Sequence, residues 1–296
     1  MAGNLIFLRR RIKSVKNTQK LTKAMKTVAA AKLRRSTSEL KRSRPYRAKI
    51  AQLLREAGRN TVLEAQPLLR ADGRGAAVLV VVASDKGLCG AFNSHVLKQA
   101  EARYRELAAA GREVFLVTVG TKAGRYFSKR GLEPKKVYNG MISRLQFADA
   151  VSLASELQAL FLSGGAGSVE FAFNEFVSAS KQQFVIRRLL PFALDEGERA
   201  DVEKKAAAAE VETIFEPGPD AIFEALLPRA VTATVYQFLL QSMAAEQVAR
   251  MVAMDLATRN ASDMIRQLTL LLNKMRQAAI TKELLEIITA TEAMNE

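Results

Sequence analysis

The sequence has few of the side chains on which enzymes and metal sites usually depend. Its 296 residues include one cysteine, Cys89, one histidine, His95, and no tryptophan. A single cysteine excludes an internal disulfide and a multi-thiolate metal site, and a single histidine excludes a cluster of histidines around a metal. The sequence also lacks a recognisable pair of catalytic carboxylates. We therefore expect no catalytic residue, no metal and no cofactor in this chain.

Long hydrophobic runs are also missing. The longest, Ala76–Ala83, is far shorter than the roughly 18 apolar residues that a membrane span needs. The segment Asn4–Leu8 is too short for a secretory signal, and its charges follow the apolar residues instead of preceding them. A heptad-like pattern that continues through the basic residues argues against a transit peptide. The expected location is cytoplasmic, and any association with a membrane is expected to be peripheral.

Acidic residues are scarce in the N-terminal segment. Residues 1–58 hold 17 Lys and Arg residues but only two acids, Glu39 and Glu56, so this segment accounts for the whole net charge of +15. Such an asymmetry predicts a partner surface that is acidic or polar. A basic helix can also bind nucleic acid by neutralising phosphates, so a nucleic-acid-binding coiled coil stays open as an alternative.

Glycine and proline are nearly absent from the same segment. Between Asn4 and Ala57 the only one is Pro45, which predicts a long helix with a kink or restart at the proline and a stop at Gly58. Its apolar stripe is Leu5, Leu8, Ile12 and Val15, followed by Leu21, Met25, Val28, Leu33 and Leu40. A helix of this length cannot be covered by a small domain, so it needs a partner helix.

A second long helix is predicted from about Pro219 to Thr291, with a break or kink at Pro228. Its apolar residues alternate in steps of 3 and 4, as in the seam of a left-handed coiled coil: Met254, Ala257, Ala261, Met264, Leu268, Leu271, Met275 and Ala278. The alternative is a core helix of a globular bundle, but only the N-terminal helix has a comparable length. Antiparallel pairing of the two helices would bring the ends of the intervening chain together.

Between the two helices the sequence changes to short β-branched runs separated by helical stretches. Strands are predicted at 76–84, 114–120, 169–178 and 183–191, and helices at about 92–110, 121–131 and 146–163. This alternation predicts a largely parallel sheet that is covered on both faces, with the last two strands as an edge hairpin.

The predicted fold class is α/β with long helices. Segments 1–58 and 219–296 form an antiparallel two-helix coiled coil, and segment 59–218 forms an inserted Rossmann-like α/β domain with its connecting loops. Within that segment and just beyond it, residues 195–220 are acidic and contain Gly197, Pro217 and Gly218, which predicts a solvated loop.

The string Ser84–Gly90 (SDKGLCG) follows the first predicted strand, where doubly wound proteins place phosphate loops. It fits neither the P-loop, in which Ser or Thr follows the lysine, nor the dinucleotide pattern G-x-G-x-x-G. We interpret it as a tight strand-to-helix turn in which the glycines supply unusual backbone angles. A nucleotide-binding α/β enzyme with its site at this turn is the other alternative.

Five strings of the sequence resemble the signatures of one known family. They are Ile12–Met25 (IKSVKNTQKLTKAM), Ser43–Tyr46 (SRPY), Ser84–Asn93 (SDKGLCGAFN), Gln247–Met254 (QVARMVAM) and Asn273–Leu284 (NKMRQAAITKEL). Together they are similar to the γ subunit of the F-type ATP synthase, and the resemblance covers nearly the whole chain. Pro228 departs from that family, in which an uninterrupted helix is expected at this point.

The resemblance implies a non-catalytic rotor subunit. In that family the antiparallel coiled coil turns inside an α3β3 ring and couples proton flow through the membrane sector to ATP synthesis at the β subunits. The implied partners are the α, β and ε subunits and the membrane c-ring, and no nucleic acid. The implied location is peripheral, on the cytoplasmic face of a bacterial inner membrane.

The resemblance also implies contacts with the catalytic ring at six positions: Met25 and Lys26 in the N-terminal helix, and Arg250, Arg276, Gln277 and Thr281 in the C-terminal helix. By this interpretation Arg250 and Arg276 pair with acidic loops of the β subunit, and Gln277 acts as a hydrogen-bonding latch. The alternative for each position is that it only stabilises the coiled coil.

Overall fold

The structure is a computed structural model in which contacts divide the chain into two compact units. One unit contains residues 1–29 and 250–296, and the other contains residues 30–249. The three-segment division of the chain stays a prediction, and most of the predicted acidic loop lies outside the described residues. The residues described are 2–59, 61, 66–70, 75–178, 181–193 and 215–295, with side chains from 4 to 291.

Two long helices form the ends of the chain. Helix α1 spans Ala2–Gly58 and helix α5 spans Pro219–Asn295, so the predicted stop at Gly58 is confirmed. Both helices are continuous, so the predicted restart at Pro45 and break at Pro228 are wrong, while the alternative of a kink at each proline stays a prediction. Around Pro228 the side chains of Leu227 and Val231 are fully buried. Their burial offsets the roughly 3 kcal/mol that a proline costs inside a helix.

A five-stranded sheet lies between these helices in the sequence. Its strands are β1 (Ala76–Val82), β2 (Val114–Val119), β3 (Lys136–Tyr138), β4 (Ala166–Phe176) and β5 (Gln182–Leu190). The order is β3-β2-β1-β4-β5, and every neighbouring pair is parallel except the β4–β5 hairpin at the edge. The predicted parallel sheet with an edge hairpin is therefore confirmed, while β3 had not been predicted.

Helices cover both faces of the sheet, as predicted. The shorter ones are α2 (Phe92–Ala109), α3 (Thr121–Ser128) and α4 (Phe147–Leu162). Alternate residues of β1 point to opposite faces: Val78, Val80 and Val82 pack with α4, whereas Leu79 and Val81 pack with α2 and α3. The strand is buried on both sides, which explains its unbroken apolar sequence.

The unit formed by residues 30–249 contains the sheet, and we call it the α/β unit. Its core also contains parts of both terminal helices. Ile50 and Leu54 of α1, with Val231, Val235 and Leu239 of α5, belong to the same buried cluster as β1 and α4. Burying a side chain of this size contributes about 1.5–3 kcal/mol. These stretches of the terminal helices are therefore fixed to the sheet by hydrophobic packing.

A buried ion pair joins α2 to β4. Arg103 donates two hydrogen bonds to the Glu170 carboxylate, from Nε and from a terminal nitrogen, both at 2.8 Å. The Glu170 side chain is only 8% exposed, and that of Arg103 is 31% exposed. Hydrogen bonding to Glu170, which outweighs the opposite effect of burial, raises the pKa of Arg103 above its ordinary value.

Candidate functional site

The unit formed by residues 1–29 and 250–296 is an antiparallel pair of helices. Three polar contacts join them on successive turns: Gln19 Nε2 donates to Ser262 Oγ at 2.7 Å, the hydroxyls of Thr22 and Thr258 lie 2.8 Å apart, and Lys26 Nζ donates to Asp255 Oδ1 at 2.6 Å. The residue numbers rise along α1 as they fall along α5, which confirms the predicted antiparallel pairing.

The seam of this helix pair differs in detail from the predicted one. On α1 the less exposed positions continue in steps of 3 and 4 through polar residues: Leu5, Leu8, Ile12, Val15, Gln19, Thr22, Lys26 and Ala29. The predicted stripe instead followed the apolar residues Leu21 and Val28, which are 61% and 56% exposed. The helical period decides the seam here because hydrogen bonds across it satisfy the polar side chains.

On α5 four of the eight predicted seam positions are correct, and they alternate with four that are displaced by one residue. The less exposed positions are Met254, Thr258, Ala261, Ile265, Leu268, Leu272, Met275 and Ala279. Met264 and Leu271 were predicted in the seam, but both are exposed. At each of the four steps that differ, an apolar residue comes directly before the true seam position, so hydrophobicity alone could not separate the two registers.

Apolar side chains remain exposed on the outside of both helices. Beyond Ala279 every described position of α5 up to Thr291 is exposed. The large apolar ones there are Ile280, Leu284, Leu285, Ile287 and Ile288. A monomeric soluble protein rarely exposes so much contiguous apolar surface, so this part of α5 has the character of a surface that contacts another protein.

The six predicted contact residues all lie in this helical unit. Met25 and Lys26 are partly buried, and so is Arg250, the first residue of α5 that belongs to this unit. Arg276, Gln277 and Thr281 are exposed, and Thr281 Oγ1 donates to the Gln277 carbonyl oxygen at 3.0 Å. Lys26 is held by Asp255, a partner that the sequence did not suggest. The assignment of the six to a catalytic ring stays a prediction.

Asp255 has two cationic partners. The hydrogen bond from Lys26 holds the pKa of Asp255 below its ordinary value, and Arg259, 2.8 Å away on the next turn of α5, lowers it further. Burial opposes both effects. The carboxylate is therefore ionised at neutral pH and can fix the register of the two helices electrostatically.

We predict that Asp255→Asn lowers the melting temperature of the chain, because the amide cannot pair with both cations. Exchanging the charges in the double variant Lys26→Asp/Asp255→Lys should recover part of the loss. A double-mutant cycle followed by thermal unfolding measures this coupling. Additive effects of the two single changes would show that the pair does not set the register.

In the α/β unit, the string Ser84–Gly90 forms the turn between β1 and α2. The glycines of this turn were predicted to adopt unusual backbone angles. Gly90 does so, with a positive φ of 58°, but the other residue with a positive φ is Leu88, at 62°. Ser84 and Asn93 close the turn: Ser84 N and Oγ lie 3.0 and 2.9 Å from Asn93 Oδ1. Ser84 and Asn93 therefore satisfy each other's side chains within the turn.

Asp85 connects this turn to the neighbouring strand ends. Its carboxylate accepts hydrogen bonds from the backbone N–H of Gly140 at 2.8 Å, Ser143 at 3.0 Å and Thr121 at 3.1 Å, and from the hydroxyls of Ser143 and Thr121. Burial raises the pKa of Asp85, but these hydrogen bonds outweigh it and lower the pKa below its ordinary value. The carboxylate therefore ties the turn after β1 to the loops that follow β2 and β3.

Helix α5 occupies the space beside the same turn. Ala245 and Ala249 pack against Cys89 and Phe92, and Gln241 Oε1 accepts a hydrogen bond of 3.2 Å from the backbone N–H of Phe176 at the end of β4. The order of the strands reverses between β1 and β4, and open α/β sheets bind their ligands at such a crevice. In this chain its own C-terminal helix packs there.

Among the residues that the structure describes, no three His, Cys, Asp or Glu side chains are arranged so that they could hold a metal ion. Neither is any helix among them long and apolar enough to span a membrane.

The comparisons with known proteins all identify the same family. The model of the family described as ATP synthase matches residues 4–294. The ATP synthase gamma chain of Chlorobaculum parvum is 40% identical over 293 residues, covering 98% of each chain. Those of Synechococcus elongatus and an Anaeromyxobacter species are 40% and 41% identical over nearly the whole of both chains.

Solved structures give the same result for the fold. A chain of the central stalk and c-ring structure of Tetrahymena thermophila mitochondrial ATP synthase is 27% identical, with a TM-score of 0.56, and the match covers 80% of this chain and 99% of that one. A chain of the Euglena gracilis mitochondrial ATP synthase is 18% identical with a TM-score of 0.66, over 99% of this chain and 95% of that one. The Euglena match shows the fold alone.

Proposed function

Because this chain belongs to the ATP synthase family as a γ chain, a central-stalk subunit that is not itself catalytic, we propose that it couples ion flow through a membrane sector to ATP synthesis by rotating inside an α3β3 ring. Its family membership replaces the two alternatives that the sequence left open, a nucleic-acid-binding coiled coil and a nucleotide-binding enzyme. The proposed partners are the α and β subunits, the ε subunit and the c-ring. The proposed location is peripheral, on the cytoplasmic face of a bacterial membrane, and the proposed ion is the proton.

The exposed apolar end of α5 supports this proposal most directly. Residues such as Ile280 and Leu284 are half exposed or more, although they would be buried in an ordinary globular domain. An apolar helix end of this kind can turn against a surrounding protein sleeve, because apolar contacts have no preferred direction. The polar contacts at the six predicted positions would then supply the angular specificity.

Charge supports the same arrangement for the ring-facing residues. Arg276 is exposed on α5, and Lys26 keeps part of its surface open although it pairs with Asp255. We propose that Arg250 and Arg276 meet acidic loops of the β subunit, and that the exposed Gln277 supplies a hydrogen bond to the ring. Because the ring contains three β subunits, each of these contacts would form and break three times per rotation, so none can be very strong.

The test is to co-express the chain with α and β subunits of the same organism and to purify the complex. We expect an α3β3γ particle whose ATPase turnover depends on this chain and falls on removal of residues 277–296. The paired substitutions Ile280→Gln and Leu284→Gln should also lower turnover, because both side chains are exposed and their loss affects a partner rather than the core.

Lys282→Gln is the matched control, since Lys282 lies in the same stretch, is itself polar and forms an ion pair with Glu286 on the next turn. We expect its turnover to equal that of the unchanged complex. Failure of the particle to form, or hydrolysis of ATP by the isolated chain, would contradict the proposed role. Full turnover after removal of residues 277–296 would contradict the role of the apolar end.

A further inference from the structure

The α/β unit contains a cleft that its structural role does not explain. It has a volume of about 480 Å³ and lies between α1, β5 and α5. Its apolar lining includes Ile50, Leu54, Phe192 and Phe238. Clefts of this size, with an apolar lining and a few polar groups, are typical of sites for small organic ligands.

The charged side chains that line this cleft are nearly all positive. Arg47 and Arg55 approach it from α1, and Arg187 and Arg188 approach it from β5. The single carboxylate in the lining, Glu175, already forms an ion pair of 3.2 Å with Arg187. Among the residues that the structure describes, the lining of the cleft therefore has an excess of positive charge.

Two of these arginines are available to a ligand. In the part of the chain that the structure describes, neither Arg55 nor Arg188 has a carboxylate within ion-pair distance. Guanidinium groups bind phosphate or carboxylate oxygens through paired hydrogen bonds. The two side chains come from different elements of the fold, so an anion held by both would be fixed in orientation.

We propose that this cleft binds an amphiphilic organic phosphate, with its head between Arg55 and Arg188 and its apolar body on Ile50, Leu54 and Phe238. An inorganic anion would leave the apolar lining in contact with water, and a neutral apolar molecule would leave the arginines without a counter-charge. This site is separate from the six ring-facing positions and does not depend on the proposed rotation.

The probe for the experiment is n-octyl phosphate, added to the purified complex of the chain with its α and β subunits. Arginine modification by methylglyoxal, quantified by peptide mass spectrometry, reports occupancy at each residue separately. At a probe concentration ten times the dissociation constant, modification of Arg55 and Arg188 should slow by about tenfold. Arg34, an exposed arginine of α1 outside the cleft, serves as the unprotected control.

Matched probes and variants separate the two parts of the site. Inorganic phosphate and n-octyl glucoside should each protect far less, because each supplies only half of the required chemistry. Arg188→Gln should weaken binding of the probe by about tenfold, the effect of losing a charge-assisted hydrogen bond, so that at the same probe concentration modification of Arg55 slows only about twofold. Ala51→Phe should abolish protection by filling the cleft from α1, whereas Arg34→Gln should change nothing.

Three outcomes would overturn the proposal. Equal protection by inorganic phosphate would mean that the apolar lining takes no part. Arginines that react in the isolated chain but not in the complex, with or without the probe, would mean that a partner subunit covers the cleft. Protection that arises only after Asp195, Glu196 and Glu198 are changed to their amides would mean that the chain's own acidic stretch is the occupant.

Discussion

Replacing Arg103 with alanine is expected to lower the free energy of unfolding of the α/β unit by about 3–5 kcal/mol. The change removes both hydrogen bonds, each of 2.8 Å, from the Glu170 carboxylate on β4. With its side chain only 8% exposed, Glu170 cannot recover the lost interactions from water. Breaking one half of a buried ion pair costs more than the pair contributes, because it leaves a charge buried without a partner.

Arg105→Ala is the matched control, because Arg105 is two residues away on the same helix. Its side chain is 74% exposed and pairs with Glu101 on the preceding turn, so its loss should cost less than about 1 kcal/mol. The double change Arg103→Leu/Glu170→Leu should recover most of the stability. Equal losses for Arg103→Ala and Arg105→Ala in urea unfolding would show that the buried pair has no special role.

Replacing Asp85 with alanine is expected to cost about 2–4 kcal/mol, because several donors lose their acceptor at once. The backbone N–H groups of Gly140, Ser143 and Thr121 all point at this carboxylate. Because these groups belong to separate loops, the loss should also loosen the turn between β1 and α2, which amide hydrogen exchange would detect.

The contribution of Asp85 should depend on pH in a defined direction. Its pKa in the folded chain lies below the ordinary value of 3.8. The folded chain therefore stabilises the ionised carboxylate of Asp85 more than the unfolded chain does. The resulting stability is complete above pH 3.8 and disappears as the pH falls through the lower, folded-state pKa. The stability difference between the unchanged chain and Asp85→Asn should therefore be constant near neutral pH and shrink in acid.

Both changes act on residues 30–249 and leave the helical pair of residues 1–29 and 250–296 unchanged. We therefore expect them to reduce the yield of assembled complex more than the turnover of each complex that does form. Changes at Ile280 and Leu284 should have the opposite effect, with normal yield and lower turnover. Measuring both quantities on the same preparations separates a damaged α/β unit from a damaged contact with the ring.

The sequence predicted the elements that carry a strong repeated pattern. The unbroken apolar run of β1 and the 3-and-4 spacing from Leu5 to Val15 each correspond to one element of the structure. Strand β3 could not be recognised, since it has only three residues and its pairing with β2 stabilises it. Pro228 misled the prediction because packing around it outweighs its local preference.

The candidate site was also predicted only in part from the sequence. The resemblance to the family led to the prediction that six positions face the catalytic ring, but nothing in the sequence indicated that Lys26 would pair with Asp255 or Thr22 with Thr258. Such pairs join residues more than 200 positions apart, and polar residues inside a seam interrupt the apolar pattern from which a seam is predicted. Keeping the helical period fixed through Gln19 and Thr22 would have located the seam.

By itself, the sequence determined that this chain has a long helix at each end, a parallel sheet in the segment between them, and its excess positive charge in the N-terminal helix. These properties follow from local propensity, periodicity and composition, which neighbouring residues decide among themselves. Only the tertiary structure decided which helix faces meet, that α5 fills the crevice beside β1, and that Arg55 and Arg188 line one cleft. Those outcomes depend on contacts between distant residues, in which burial and hydrogen bonding outweigh local preference.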